Sequence, residues 1–134
     1  MIKEFIRKWD KHKSDLEEYF KNTNQLEYNN YTSIVKILFE KVIDRNKKFD
    51  IDNILVIDDG EYQGTQIFII HKDTYQPSIS DYVYTNTYYG SCSGCDTLQA
   101  ISGYDEGLPS KEQVKDYMQL ALNILQRLKY MSED

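Results

Sequence analysis

The 134-residue sequence predicts an α+β domain, a three-stranded antiparallel β-meander flanked by N-terminal and C-terminal helices in the order α-α-β-β-β-α-α. Three observations carry this expectation. Apolar residues recur at three-four spacing before residue 46 and again after Pro109. Between those stretches, short β-branched runs and a period-two alternation replace the helical rhythm. The length suits one domain, which buries roughly two thirds of its unfolded surface. Residues 1–134 therefore read as a single unit without repeat, linker or low-complexity stretch.

Ile2, Phe5, Ile6, Trp9, Leu16, Tyr19 and Phe20 mark one face of a first helix, with Lys, Asp and Glu on the other. Asn22-Thr23-Asn24-Gln25 and Asn29-Asn30 form turns. Tyr31, Ile34, Val35, Leu38, Phe39, Val42 and Ile43 then repeat the rhythm, which predicts a second helix to about Asn46. Ile54-Leu55-Val56-Ile57, ended by Asp58-Asp59-Gly60, and Gln66-Ile67-Phe68-Ile69-Ile70 after Gly64 read as an antiparallel pair. From Asp81 to Tyr89, Tyr82, Tyr84, Asn86 and Tyr88 alternate with Val83, Thr85, Thr87 and Tyr89, the period of a third strand. Asp96 caps a short helix through Thr97–Ile101, with Gly103 at its end. Pro109 and Ser110 open the last helix. There Ser110 and Gln113 have capping-box spacing, and Val114, Tyr117, Met118, Ala121, Leu125 and Leu128 form the buried stripe.

Hydrophobic residues at 40% and charged residues at 28% place the chain among globular proteins and away from disordered ones. No apolar run approaches the roughly 18 residues that span a bilayer, and the start alternates charged with apolar residues instead of building a signal-peptide core. The expectation is a cytosolic protein with no membrane partner. Net charge is −6, but residues 1–50 carry 11 Lys/Arg against 9 Asp/Glu and residues 51–134 carry 5 against 13. An acidic surface disfavours nucleic acid as a partner unless the N-terminal lysines gather on one face.

No phosphate-loop, dinucleotide, zincin or hydrolase-elbow string occurs, and the acids between Asp50 and Glu61 miss the order of a calcium loop. The unusual segment is Tyr88-Tyr89-Gly90-Ser91-Cys92-Ser93-Gly94-Cys95-Asp96-Thr97-Leu98, which holds both cysteines at a strand-to-helix junction. Four readings fit it. Small residues make a tight turn in which free cysteines pack as small hydrophobes. Cys92 and Cys95 supply half of a tetrahedral zinc site, to which His71 could add a ligand, or which a homodimer would complete as a four-cysteine site from two copies. The helix start lowers a thiol pKa for redox chemistry, although Asp96 opposes a thiolate. Backbone amides of the glycine-containing turn hold an anion or small ligand. No cofactor is called for beyond that zinc ion. A cysteine nucleophile activated by His71 stays conceivable on sequence alone, because catalytic partners meet in space.

The string YYGSCSGCDTLQAI, followed by YMQLALNILQRLKYM, resembles a group of small uncharacterised proteins encoded by bacteriophages and prophages, over Tyr88–Met131. The resemblance implies an origin and a compartment, the bacterial host cytoplasm, and no activity. Tyr82, Tyr84 and Tyr88 share one strand face. Helices are expected to cover that face, since a meander must bury one side; left open, it would be a rigid aromatic surface for protein recognition or for stacking a base. Without catalytic motifs, the expectation is a non-enzymatic module that binds or modulates a host protein. Its candidate contacts are Tyr82, Tyr84, Tyr88, Asp58, Asp59 and Glu61. The alternative is a small-ligand or zinc-binding protein built on Cys92 and Cys95.

Overall fold

The computed structural model describes residues 2–26, 30–60, 63–90, 96–103 and 105–133. Helix α1 spans Ile2–Lys21. Phe5, Trp9, Leu16 and Phe20 point into the core, while Glu4–Lys8 (3.6 Å) and Glu17–Lys21 (3.1 Å) pair along the wet side. Helix α2, Tyr31–Leu38, is the central one, with Tyr31, Ile34, Val35 and Leu38 all buried. It does not run to Asn46. A π-helical turn over Phe39–Ile43 takes one extra residue, closed by Asp44 N to Phe39 O at 2.7 Å, and ends it. The buried Asp44 carboxylate then accepts Lys48 N (2.9 Å) and Phe49 N (2.7 Å), which replaces another helical turn with a tight corner.

Strands β1 (Leu55–Asp58), β2 (Gly64–His71) and β3 (Tyr82–Tyr89) pair antiparallel as expected. The meander is not three-stranded. Lys129–Tyr130 forms a short strand β4 beside Val83 and Tyr84, so the sheet has the order β1-β2-β3-β4. Two residues are too short for period-two alternation to announce them. Helix α3 (Thr97–Ser102) is capped by Asp96, and Gly103 follows at φ +58°, where a side chain would be strained. Helix α4 (Lys111–Gln126) starts with the predicted capping box of Ser110 and Gln113.

The four helices α1–α4 form one layer on one face of the sheet. Phe68 and Ile70 of β2 and Val83, Thr85, Thr87 and Tyr89 of β3 point into it, and the Thr85 hydroxyl donates to the Ile124 carbonyl at 2.7 Å. Aromatic stacking ties the layer together: Phe20 lies on Tyr117 at 5.3 Å and Phe5 on Tyr130 at 6.0 Å. One continuous buried cluster results. The architecture is α+β, with helices on one side of an antiparallel sheet.

Candidate functional site

Register decides which strand residues face away from the helices. Side chains alternate faces along each strand, so partners of Phe68 and Ile70 point inward and their sequence neighbours point outward. The pairs Leu55↔Ile69↔Tyr84 and Ile57↔Ile67↔Asn86 therefore lie on the outer face, together with Thr65↔Tyr88 and His71↔Tyr82. The tyrosine face is thus not the covered one. Helices cover Val83, Thr85, Thr87 and Tyr89 instead, and Tyr82, Tyr84 and Tyr88 stand on the opposite side. The reason lies in the neighbouring strand: Phe68 and Ile70 take the core, and the register then fixes the parity of β3.

Leu55 is 57% exposed, Ile57 45% and Tyr88 51%, while Ile67, Ile69, Tyr82 and Tyr84 are half-buried. This is a contiguous apolar and aromatic face on rigid strands. At its far end the His71 ring lies 5.7 Å from that of Tyr82, tilted by 57°. His71 Nδ1 is 2.8 Å from the Lys72 carbonyl, a hydrogen bond in which the nitrogen donates. Lys129 of β4 enters the outer face beside Tyr84. Strand β1 is bonded to β2 alone and is exposed along its whole length. It carries neither the lysine nor the proline with which sheet edges are commonly protected.

The acidic loop has a different character from the one expected. Asp58 points to the helix side, where its Oδ1 accepts the Tyr89 hydroxyl and Gly60 N (3.0 Å), and its Oδ2 accepts Gln66 Nε2 (3.3 Å). The Tyr89 hydrogen bond is the main cause that holds the Asp58 carboxyl below its ordinary range, and it pushes the tyrosine up to about 12. Asp59 Oδ1 accepts Thr65 N at 2.6 Å. A side chain at Gly60 would run into the Gln63 carbonyl, so the glycine is required there. Asp58 and Asp59 therefore build the β1–β2 connection, which is reason enough for their presence. Glu61 lies outside the described residues.

Cys92 and Cys95 also lie outside the described residues, but the residues that bracket them do not. Asp96 is buried, and its carboxylate accepts Gly90 N (3.0 Å), the Tyr31 hydroxyl (2.8 Å) and Gln99 N (2.8 Å); Leu98 N donates to the Tyr31 oxygen at 3.1 Å. One carboxylate thus joins the end of β3, the start of α3 and α2. Gly90 follows Tyr89, which pairs with Gly64 at one end of β2, whereas His71 ends the other. Seven residue steps along the strand take Gly64 to His71, about 23 Å. The register thus sets His71 apart from the end where the cysteine segment begins. Among the described residues, no group of three or more His, Cys, Asp or Glu side chains could hold a metal ion.

Sequence reasoning named the three tyrosines from their period but missed Leu55, Ile57, Ile67 and Ile69 as members of the same surface. Their apolar character signals a strand, and only the pairing says which way each points. Set against known proteins, the chain matches no family model, no curated protein and no solved structure. No described helix is long and apolar enough to cross a membrane.

Proposed function

We propose that this protein is a non-enzymatic interaction module that binds a host protein through the open face of its sheet. The observation that supports this reading is the uncovered surface made by Leu55, Ile57, Ile67, Ile69, Tyr82, Tyr84 and Tyr88. Burying an aliphatic or aromatic side chain is worth about 1.5–3 kcal/mol, so a solvent-facing patch of this kind forgoes stability that a second layer would supply. Aromatic residues on rigid strands recover that energy on a partner with little loss of side-chain freedom. The exposed edge of β1 adds main-chain donors and acceptors on which an extended partner segment can pair. The phage-type resemblance of Tyr88–Met131 supplies the setting, a bacterial cytoplasm in which the partner is a host protein.

The test compares the wild-type chain with a Leu55→Gln, Ile57→Thr, Tyr88→Thr variant as bait in bacterial lysate. Wild type should retain one host protein in near-stoichiometric yield, and the variant, folded to the same helical content, should lose it. Retention unchanged by the substitutions would remove the face from the interaction, and nothing retained by wild type would count against the module itself. A wild-type dimer that the same substitutions dissociate would give the face to a second copy and overturn the host-partner reading.

A further inference from the structure

A polar cleft of about 430 Å³ lies between α1, the corner that follows the π-helical turn, and the bridge that pairs Phe49 with Lys72. Lys8, Lys11 and His12 line it from one side of α1, Arg45 and Lys48 from the corner, and Lys72 from the bridge. Five Lys or Arg side chains thus share a concave wall in a chain of net charge −6. The lining carboxylates, Glu4 and Asp44, are both engaged. Glu4 pairs with Lys8, and Asp44 is spent on the amides of Lys48 and Phe49. Lys8 Nζ also donates to the Ile43 carbonyl at 2.9 Å, which covers a helix-terminal oxygen that would otherwise repel an anion. Arg45 reaches Asp15 at 2.8 Å. Among the described residues, the ammonium groups of Lys11, Lys48 and Lys72 have neither ion pair nor hydrogen bond.

Like charges gathered on a concave wall repel one another, and this chain has 22 acidic residues with which it could have neutralised them. We infer that the cleft binds a compact polyphosphate ligand of nucleotide size. The volume lies in the ordinary range for small-molecule sites, about 300–1,000 Å³. The unpaired ammonium groups supply point charges for phosphate oxygens. Part-buried Phe49 and Tyr130 also line the cleft, each fixed by a second ring, Phe39 at 5.5 Å and Phe5 at 6.0 Å, and they offer an apolar wall to a base. A nucleic-acid strand fits less well. It would leave the cleft and run over a remainder more acidic than the chain as a whole, where each further phosphate meets repulsion. Of the α1 lysines, Lys8 and Lys11 line this cleft, where they meet Arg45, Lys48 and Lys72 from outside the helix, while Lys13 and Lys21 lie on the opposite flank. The site shares no residue with the open sheet face.

The probes are inorganic triphosphate and then ATP, added to the full chain at low ionic strength while backbone amide chemical shifts are recorded. Saturable shifts should centre on Lys8, Lys11, Asp44–Phe49 and Lys72, with affinity falling about tenfold between roughly 50 and 200 mM salt as screening of exposed charges requires. Tighter binding of ATP would show that the rings take the base; equal binding would show that phosphate alone is read. Changing Lys11, Lys48 and Lys72 together to Gln should weaken binding by roughly 30-fold, about threefold for each charge-assisted hydrogen bond to phosphate that the variant cannot make. A matched change of Lys13, Lys111 and Lys115, which line a lysine-rich patch on the other flank of α1, should alter it by less than about threefold. No shifts at millimolar triphosphate, shifts spread over both flanks, or equal losses in the two variants would each overturn the inference.

Discussion

Asp96 gathers three donors from three segments, and the tyrosine that supplies one of them, Tyr31, also accepts the amide of Leu98. Removing the carboxylate leaves those donors buried and unmet, so Asp96→Ala should cost about 3–5 kcal/mol by urea denaturation, and Tyr31→Phe about 1–2 kcal/mol. The cap itself is legible in the sequence because a side chain of this type three residues before a backbone N–H is a local relation. Tyr31 lies 65 residues away, and no local pattern announces it. Titration follows from the same geometry. Burial, the largest cause, raises the ionisation of Tyr31 and Tyr117 above the ordinary tyrosine range, and the hydrogen bond to Asp58 raises Tyr89 to about 12. An unfolded tyrosine ionises near about 10, so the native chain holds protons that the unfolded chain releases. Stability should therefore be level below that pH and fall as pH climbs past it, with a shallower decline for Tyr31→Phe. Asp58, held below its ordinary value, acts at the other end: its contribution is present above the unfolded carboxylate pKa and is lost as pH drops through the folded one. Denaturation midpoints of wild type and Asp58→Asn between about pH 2 and 6 check this, since the variant should have the flatter acid limb.

At the scale of elements, three-four spacing placed α1, α2 and α4, and Leu38 (1% exposed) and Leu125 (0%) are core residues as the stripes require. Truncating either to Ala should cost about 2–5 kcal/mol, measured by chemical denaturation. The α4 capping box carries more than its motif suggests. Ser110 Oγ accepts one amide, whereas Gln113 accepts Ser110 N and Gln25 Nε2 and donates to the Ile101 carbonyl and Asp105. Ser110→Ala should lose about 1 kcal/mol and Gln113→Ala about 2–3 kcal/mol, because the glutamine clamps the α1–α2 connection and the α3–α4 connection to the same helix start. What the sequence concealed at this scale has physical causes. Strand β4 is too short for a periodic signal. The end of α2 depends on a π-helical turn whose residues, Phe39, Val42 and Ile43, continue an ordinary apolar stripe. The parity of the tyrosine strand is set by its neighbour β2.

Across the whole molecule, the helices and the buried cluster occupy one side and the sheet presents the other. Three of the seven residues of the candidate surface were legible, the tyrosines by their alternation, but not the four aliphatic residues, whose direction needs the register. The cationic cleft was illegible for a related reason, since its lysines come from residues 8 to 72 and meet only when α1 crosses the corner after α2. Residues that are already exposed contribute little to folding, so Leu55→Gln, Ile57→Thr and Tyr88→Thr together should move the denaturation midpoint far less than Leu38→Ala alone. Strand β1 also has a behaviour in time. Asp59 N bonds to Thr65 O, so by the antiparallel alternation the amides of Val56 and Asp58 point away from β2. In deuterated buffer these two should exchange almost at the rate of an open chain, while amides of the β2–β3 ladder between Phe68 and Thr85 persist until the whole chain unfolds. A strand added at that edge would hold the deuterium out, so the minutes by which Val56 slows would report occupancy of the edge residue by residue, without a label and without knowing what had bound.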